Sequence, residues 1–291
     1  MTGLAHPEIA AATKAGEHAD GAGAKAPASA WYALAILIGT TLFAFVDRQI
    51  INLIAPSLQR DLGISDLQLG MLQGLGFALF ASLAAYPIGW LSDRFGRRLV
   101  LGCCIMVWSI STAACAFQTS FTGIFAAAAG IAIGEAALTP VIFSMLPDLF
   151  PERQRNTANF IFFAVALLGA ALGLALGGFT LELLENNHQA LPAFFAAMDS
   201  WRVALILVAA PGPLFVLLLA TIRMTNSGSI VGTSEQAGDF DKILPFLREH
   251  WRAIACIYGA IFAYSLPLGA VGAWVPGAMP RGSPGVAVAS V

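Results

Sequence analysis

Charge is scarce in this chain. Fifteen Lys and Arg and seventeen Asp and Glu among 291 residues make 11 %, where a soluble domain carries about 25 %. So little polar surface excludes an ordinary soluble enzyme. The net charge of −2 supplies no global field to draw in nucleic acid. Cysteine is sparse: Cys103, Cys104, Cys115 and Cys256 lie in apolar stretches without a C-x-x-C pair, which supports neither a zinc site nor a disulfide framework. His6, His18, His188 and His250 fall in tails or loops with no ligand-spaced partner. The chain holds no P-loop, so ATP-driven pumping is unsupported. No catalytic constellation, cofactor or metal is expected. Residues 1–30 lack an apolar run and are not a signal peptide. They read as a disordered tail.

What is abundant is apolar sequence, 58 % of the chain. A membrane-spanning helix needs about 20 mostly apolar residues. Six such stretches run near 31–55, 67–90, 98–118, 121–146, 157–181 and 202–222, and a seventh near 252–276. Barrel strands would alternate polar and apolar residues, and a run such as 161–184 does not. The expected fold is therefore an all-α membrane protein. It has a six-helix bundle over 31–223, a central loop over 224–251 and a seventh helix. Ser65 with Gln68 forms a capping box opening the second span. In the central loop, Ile243, Leu244, Leu247 and Trp251 recur at helical spacing, which reads either as a helix on the membrane surface or as a solvated linker.

Lys and Arg fix the expected orientation. With the amino terminus inside, the inner segments hold Lys14, Lys25, Arg94, Arg97, Arg98, Arg153, Arg155, Arg223, Lys242, Arg248 and Arg252, and the outer ones only Arg60 and Arg202. That asymmetry places the amino terminus in the cytoplasm of a cell-membrane protein.

The stretch 89–98 carries Gly89, Asp93, Arg94, Gly96, Arg97 and Arg98 in the spacing G-x-x-x-D-R-x-G-R-R. Gly89 would allow close helix approach and Gly96 a tight turn. Asp93 would accept from Arg97 or face a helix amino terminus. The pattern resembles the signature between helices 2 and 3 of the major facilitator superfamily, at every fixed position. Asp47-Arg48, the segment Pro56–Asp66, Gly134-Glu135 followed by Pro140, Asp148–Pro151 and Arg155–Ala158 are similar to the spinster-like and organic-anion-symporter branch. Trp108-Ser109 agrees. The resemblance covers about 31–276 and implies secondary transport of a small organic or lipid-like solute, coupled to protons.

Asp47, Arg48 and Glu135 fall inside apolar spans. A charge at mid-depth costs several kcal/mol even on insertion scales, so it faces a cavity or a partner. Asp47 and Arg48 point about 100° apart and need not pair with each other. In the inverted-repeat plan that the resemblance implies, the helices of Asp47 and Glu135 correspond and line a central cavity. A carboxylate removed from water there is suited to carry a proton. The competing reading is a structural charge network. Spinster-like relatives place an Arg seven residues before this Glu, whereas here the position is Ala128. Either Arg48 compensates or coupling is altered. Phe77, Phe80, Tyr86 and Trp108 are cavity candidates that could equally face neighbours or lipid.

Gly169, Gly173 and Gly177 stand four apart in the fifth span, a spacing that lets helices touch closely. The family fold has twelve spans in two halves around one site. This chain is expected to be its amino-terminal half plus one helix. After Pro276 the sequence loses its family resemblance, so 277–291 is expected to be an atypical tail on a truncated chain. The alternative function is a non-transporting remnant or a partner-binding subunit.

Overall fold

The computed structural model describes residues 26–187, 192–222, 245 and 248–267. Six helices in it are long and apolar enough to cross a membrane, and they match the six expected stretches: α1 (Ala28–Leu53), α3 (Asp66–Phe95), α4 (Arg97–Cys115), α5 (Phe121–Leu149), α6 (Glu152–Asn186) and α8 (Ser200–Thr221). Even the shortest, α4 with 19 residues, extends about 28 Å, near the thickness of a hydrocarbon core. Two short helices connect them, α2 (Ala55–Leu62) and α7 (Ala193–Ala196). Residues 248–267 are helical, α9, and exposed along nearly their whole length. The rest of the expected seventh span, most of the 224–251 segment with its helical-spacing pattern, and the tails 1–25 and 277–291 lie outside the described residues.

Local chemistry sets the joints. The chain between the first two spans is largely α2. Pro56 sits in its first turn and Gly63 closes it at φ +63°, a left-handed end that glycine adopts without Cβ strain. Ser65 accepts from the Gln68 N–H at 3.3 Å while Gln68 Oε1 accepts from the Ser65 N–H at 2.9 Å, completing the capping box. Gly96, at φ +92°, turns α3 into α4. Residues Met71–Leu75 form a π-helical turn within α3, with the Gly76 N–H returning to Met71 O. A Cβ at Gly76 would lie 2.6 Å from both Met71 O and the Phe125 ring, so this turn closes only around a glycine.

α1 packs along α6, and α4 lies against α5, α3 and α8. Leu37, Ile50, Leu101, Ile105, Trp108, Ile131, Ile142 and Met145 are fully buried between them. By contrast, Phe160, Phe163, Leu167, Leu168, Leu176 and Phe179 of α6 stand exposed. An apolar exterior suits contact with lipid, which is as apolar as leucine and does not drive such residues inward.

Candidate functional site

Asp47 and Arg48 sit on the last turns of α1, and their angular separation sends them to different neighbours. Asp47 turns toward α4. It is wholly buried, and its Oδ2 accepts a hydrogen bond from Thr112 Oγ1 at 2.9 Å. Its other oxygen, Oδ1, has no hydrogen-bond partner among the described residues. The expected cavity-facing carboxylate is thus enclosed between two helices. Arg48 turns toward α3 and α5. Its Nε lies 3.5 Å from Glu135 Oε2, and its guanidinium lies 4.0 Å over the Phe77 ring. At that distance the ion pair is looser than a charge-assisted hydrogen bond of about 2.7–2.9 Å. The Arg48 side chain is 48 % exposed and that of Glu135 only 8 %. Glu135 Oε1 also lacks a hydrogen-bond partner among the described residues.

Four helices therefore build one cluster: α1 with both charges, α5 with Glu135, α4 with Thr112 and α3 with Phe77. Asp47 and Glu135 lie within reach of each other's charge, with Arg48 acting on both. Ala128, two turns before Glu135, is buried beside Ile51, Ile54, Leu72, Cys115 and Ile124. At this position, where the family resemblance implied an arginine, the surroundings are apolar, and the cation near Glu135 comes from α1 instead. A polar group left unpaired in such a setting is costly, and the two carboxylate oxygens without a partner among the described residues make this cluster a candidate site.

Thr112 was not legible in the sequence. Ser109, Ser111 and Thr112 occupy one turn of α4, and nothing in their order says which hydroxyl meets α1. Of the aromatic candidates, Phe77 lies under Arg48 and Trp108 is fully buried in the core. Phe80 packs edge-on against Phe125, while Tyr86 is largely exposed.

The 89–98 motif lies at the opposite end of α3 from the α2 connection, and its basic residues fan out. Arg97 forms an ion pair with Asp148 on α5 and donates to Ser144 O at 2.6 Å. Arg98 donates to Ile222 O at 2.6 Å, just past the carboxyl end of α8, where helix carbonyls lack internal partners. Arg94 stacks near Trp90, 5.2 Å from its ring centre. Three details depart from the sequence-based expectation. Arg97 reaches Asp148 rather than Asp93, because the turn at Gly96 points it across to α5. Asp93 is exposed and has no hydrogen bond or ion pair among the described residues. Nor does Gly89 touch a described helix, since a Cβ there would meet open space.

On α6, Gly169, Gly173 and Gly177 all face α1. A Cβ at Gly173 would lie 2.7 Å from the backbone oxygen of Phe45, and one at Gly177 2.9 Å from the Leu53 side chain. At the far end of the bundle from the 89–98 motif, a concavity of about 570 Å³ is lined by Ser57, Arg60, Asp61 and Trp201 among others. Asp61 Oδ2 there accepts from the Trp201 indole at 2.7 Å. None of Asp47, Arg48 or Glu135 borders it.

Six membrane-length apolar helices around a buried charge cluster define a multi-pass helical membrane protein. The chain belongs to the Major Facilitator Superfamily, whose family model matches residues 37–290, and its similarities run to the spinster-like branch. It is 26 % identical over 245 residues to the sphingosine-1-phosphate transporter SPNS2 of Mus musculus, covering 83 % of this chain and 42 % of that protein. A bacterial homolog of the human lysosomal transporter Spinster, in an inward-facing and unoccupied conformation, superposes with a TM-score of 0.65 at 27 % identity. That match covers 90 % of this chain and 57 % of the other. The fold is shared with a D-xylose-proton symporter, with a TM-score of 0.63 at 16 % identity over 89 % of this chain and 63 % of that one. The chain spans about half the length of the relatives it matches.

Proposed function

We propose that this chain belongs to a secondary active transporter that moves a small organic or lipid-like solute across the cell membrane by alternating access, driven by protons. Its role is transport, not catalysis. The observation that carries the reading is the cluster of Asp47, Arg48 and Glu135. Two carboxylates and one arginine stand inside apolar helices, each carboxylate keeps an unpaired oxygen, and Arg48 remains half open. Intramembrane ionisable groups mark ion and substrate pathways. In this reading Asp47 and Glu135 carry the proton. Arg48, held flat over Phe77, offers a cation to the solute.

Residues 31–223 then act as the amino-terminal bundle of the family fold, 224–251 as the central loop and 252–276 as a seventh span. The amino terminus and the 89–98 motif lie in the cytoplasm, following the Lys and Arg bias. Gly89, Asp93, Arg94, Gly96, Arg97 and Arg98 form the conformational motif, and Gly169, Gly173 and Gly177 serve helix packing. Similarity to a sphingosine-1-phosphate transporter and the half-open guanidinium favour a solute that joins an anionic group to an apolar body.

The test is uptake into proteoliposomes under an imposed pH gradient, with sphingosine-1-phosphate, a lysophospholipid and a small carboxylate offered in turn. Asp47→Asn and Glu135→Gln should abolish gradient-driven accumulation while leaving exchange partly intact. Uptake by Asp47→Asn with unchanged size and pH dependence would make Asp47 a structural charge and defeat the assignment.

A further inference from the structure

Several hydroxyl side chains in these apolar helices follow a local habit, although the buried Ser109 hydroxyl of α4 finds no partner among the described residues. Thr40 and Thr41 donate to the carbonyls of Ile36 and Leu37, four residues back. Ser82 donates to Ala78 O and Thr180 to Leu176 O in the same way. That is the nearest acceptor for a hydroxyl on a helix surrounded by apolar groups. Thr112 breaks the habit. Wholly buried on α4, it turns its hydroxyl away from the Trp108 carbonyl and gives it to Asp47 Oδ2 at 2.9 Å.

A threonine hydroxyl has one donor and two acceptor lone pairs, so it can serve either protonation state of a buried carboxyl. With Asp47 ionised, Thr112 donates to it. With Asp47 protonated, the carboxyl O–H donates to Thr112 Oγ1, and the freed Thr112 O–H swings back to the Trp108 carbonyl one turn behind. One proton is added, no covalent bond of the threonine changes, and neither state leaves the hydroxyl unpaired. Two charged groups act on Asp47, Glu135 from α5 and Arg48 from α1, and the Cys115 thiol of α4 lies within reach of its charge. None of them hydrogen-bonds to it among the described residues, so Thr112 is its described donor.

We infer that Thr112 is a positioning residue for proton coupling, a reversible hydrogen-bond partner that lets Asp47 gain and lose its proton within the closed α1–α4 interface. This rests on the reading of Asp47 as a coupling carboxylate.

The protein reconstituted in bilayers is titrated by infrared spectroscopy, following the carboxyl C=O stretch that disappears in Asp47→Asn. Uptake is measured over the same pH range. Thr112→Val keeps the shape and removes the donor, Thr112→Ala removes the donor without adding bulk, and Thr112→Ser keeps the hydroxyl. The expected result is that both donor-less variants move the band and the uptake profile to more alkaline pH by about one pH unit, because the bond lost by the ionised carboxylate is charge-assisted and stronger than the one lost by the neutral acid. They should also shift the band frequency, and serine should restore both midpoints. Donor-less variants that titrate and transport with wild-type midpoints, whatever their yield, would overturn the role of Thr112. An Asp47→Asn variant that keeps coupled uptake would instead defeat the coupling reading on which it rests.

Discussion

Gly173 offers a test of the bundle that needs no assumption about transport. Replacing it with alanine places a methyl group 2.7 Å from the Phe45 carbonyl oxygen, 2.9 Å from its carbonyl carbon and 3.1 Å from the Val46 nitrogen. Relaxed contacts of this kind lie near 3.5–4.0 Å, so α1 and α6 must part by about 0.5–1 Å, enough to forfeit a quarter to a half of each dispersion contact around the point of strain. Both obstacles are helix backbone and cannot rotate aside. Overpacking of this kind costs about 1–3 kcal/mol, offset by roughly 1 kcal/mol of helix propensity gained over glycine. The net expectation is a loss of about 0–2 kcal/mol. Neighbouring glycines supply the scale. At Gly177 the obstacle is the end of the Leu53 side chain, 2.9 Å away, which a rotamer change relieves, so Gly177→Ala should be near neutral. At Gly178 nothing lies within 4 Å, and alanine should stabilise by about 0.5–1 kcal/mol. Apparent melting in detergent, read as the monodisperse fraction after heating, should rank Gly178→Ala above wild type and Gly177→Ala, with Gly173→Ala lowest. A Gly173→Ala protein as stable as Gly178→Ala would refute the close α1–α6 contact.

Three further outcomes follow from individual contacts. Arg202, whose side chain is 15 % exposed, donates to Ala116 O at 2.6 Å and Gln118 O at 2.9 Å, clamping the end of α4 to α8. Arg202→Ala should cost about 2 kcal/mol in the same melting assay, and wild-type melting would show that the clamp is idle. Arg97→Ala breaks a partly exposed ion pair and should cost about 1 kcal/mol or less, whereas Asp93→Asn, with no described partner, should melt like wild type and lose uptake only through the proposed conformational motif. A drop in the folded, membrane-inserted fraction with Asp93→Asn would show that this carboxylate supports the fold after all. In a cysteine-free background, Asp93→Cys should react with an impermeant thiol reagent only from the cytoplasm and Asn186→Cys only from outside; the reverse pattern would invert the proposed topology.

The amino-acid sequence by itself determined six of the apolar helices, their approximate length and several of their joints. Long uninterrupted apolar runs have no soluble alternative, and the capping box at Ser65 and the turn at Gly96 are local chemistry, complete within a few residues. The charged residues inside the spans were legible for the same reason, because Asp47, Arg48 and Glu135 stand out against apolar neighbours wherever the chain goes. Shorter features with no contrast were hidden. Helix α2 lacks an apolar run of membrane length, and the π-turn at Met71–Leu75 is a shift of hydrogen-bond register with no composition of its own.

Partnership was decided only by the tertiary structure. Arg48 meets Glu135, Arg97 meets Asp148 and Thr112 meets Asp47, pairs separated by tens of residues along the chain. In a soluble protein the polar face of each helix would have indicated which side turns inward. In a bilayer the lipid-facing and core-facing sides are both apolar, so helix rotation leaves little trace in the hydropathy pattern. What sets it here is close packing: glycines on α6 admit the backbone of α1, α1 brings Asp47 against α4, and the next residue is left to reach Glu135.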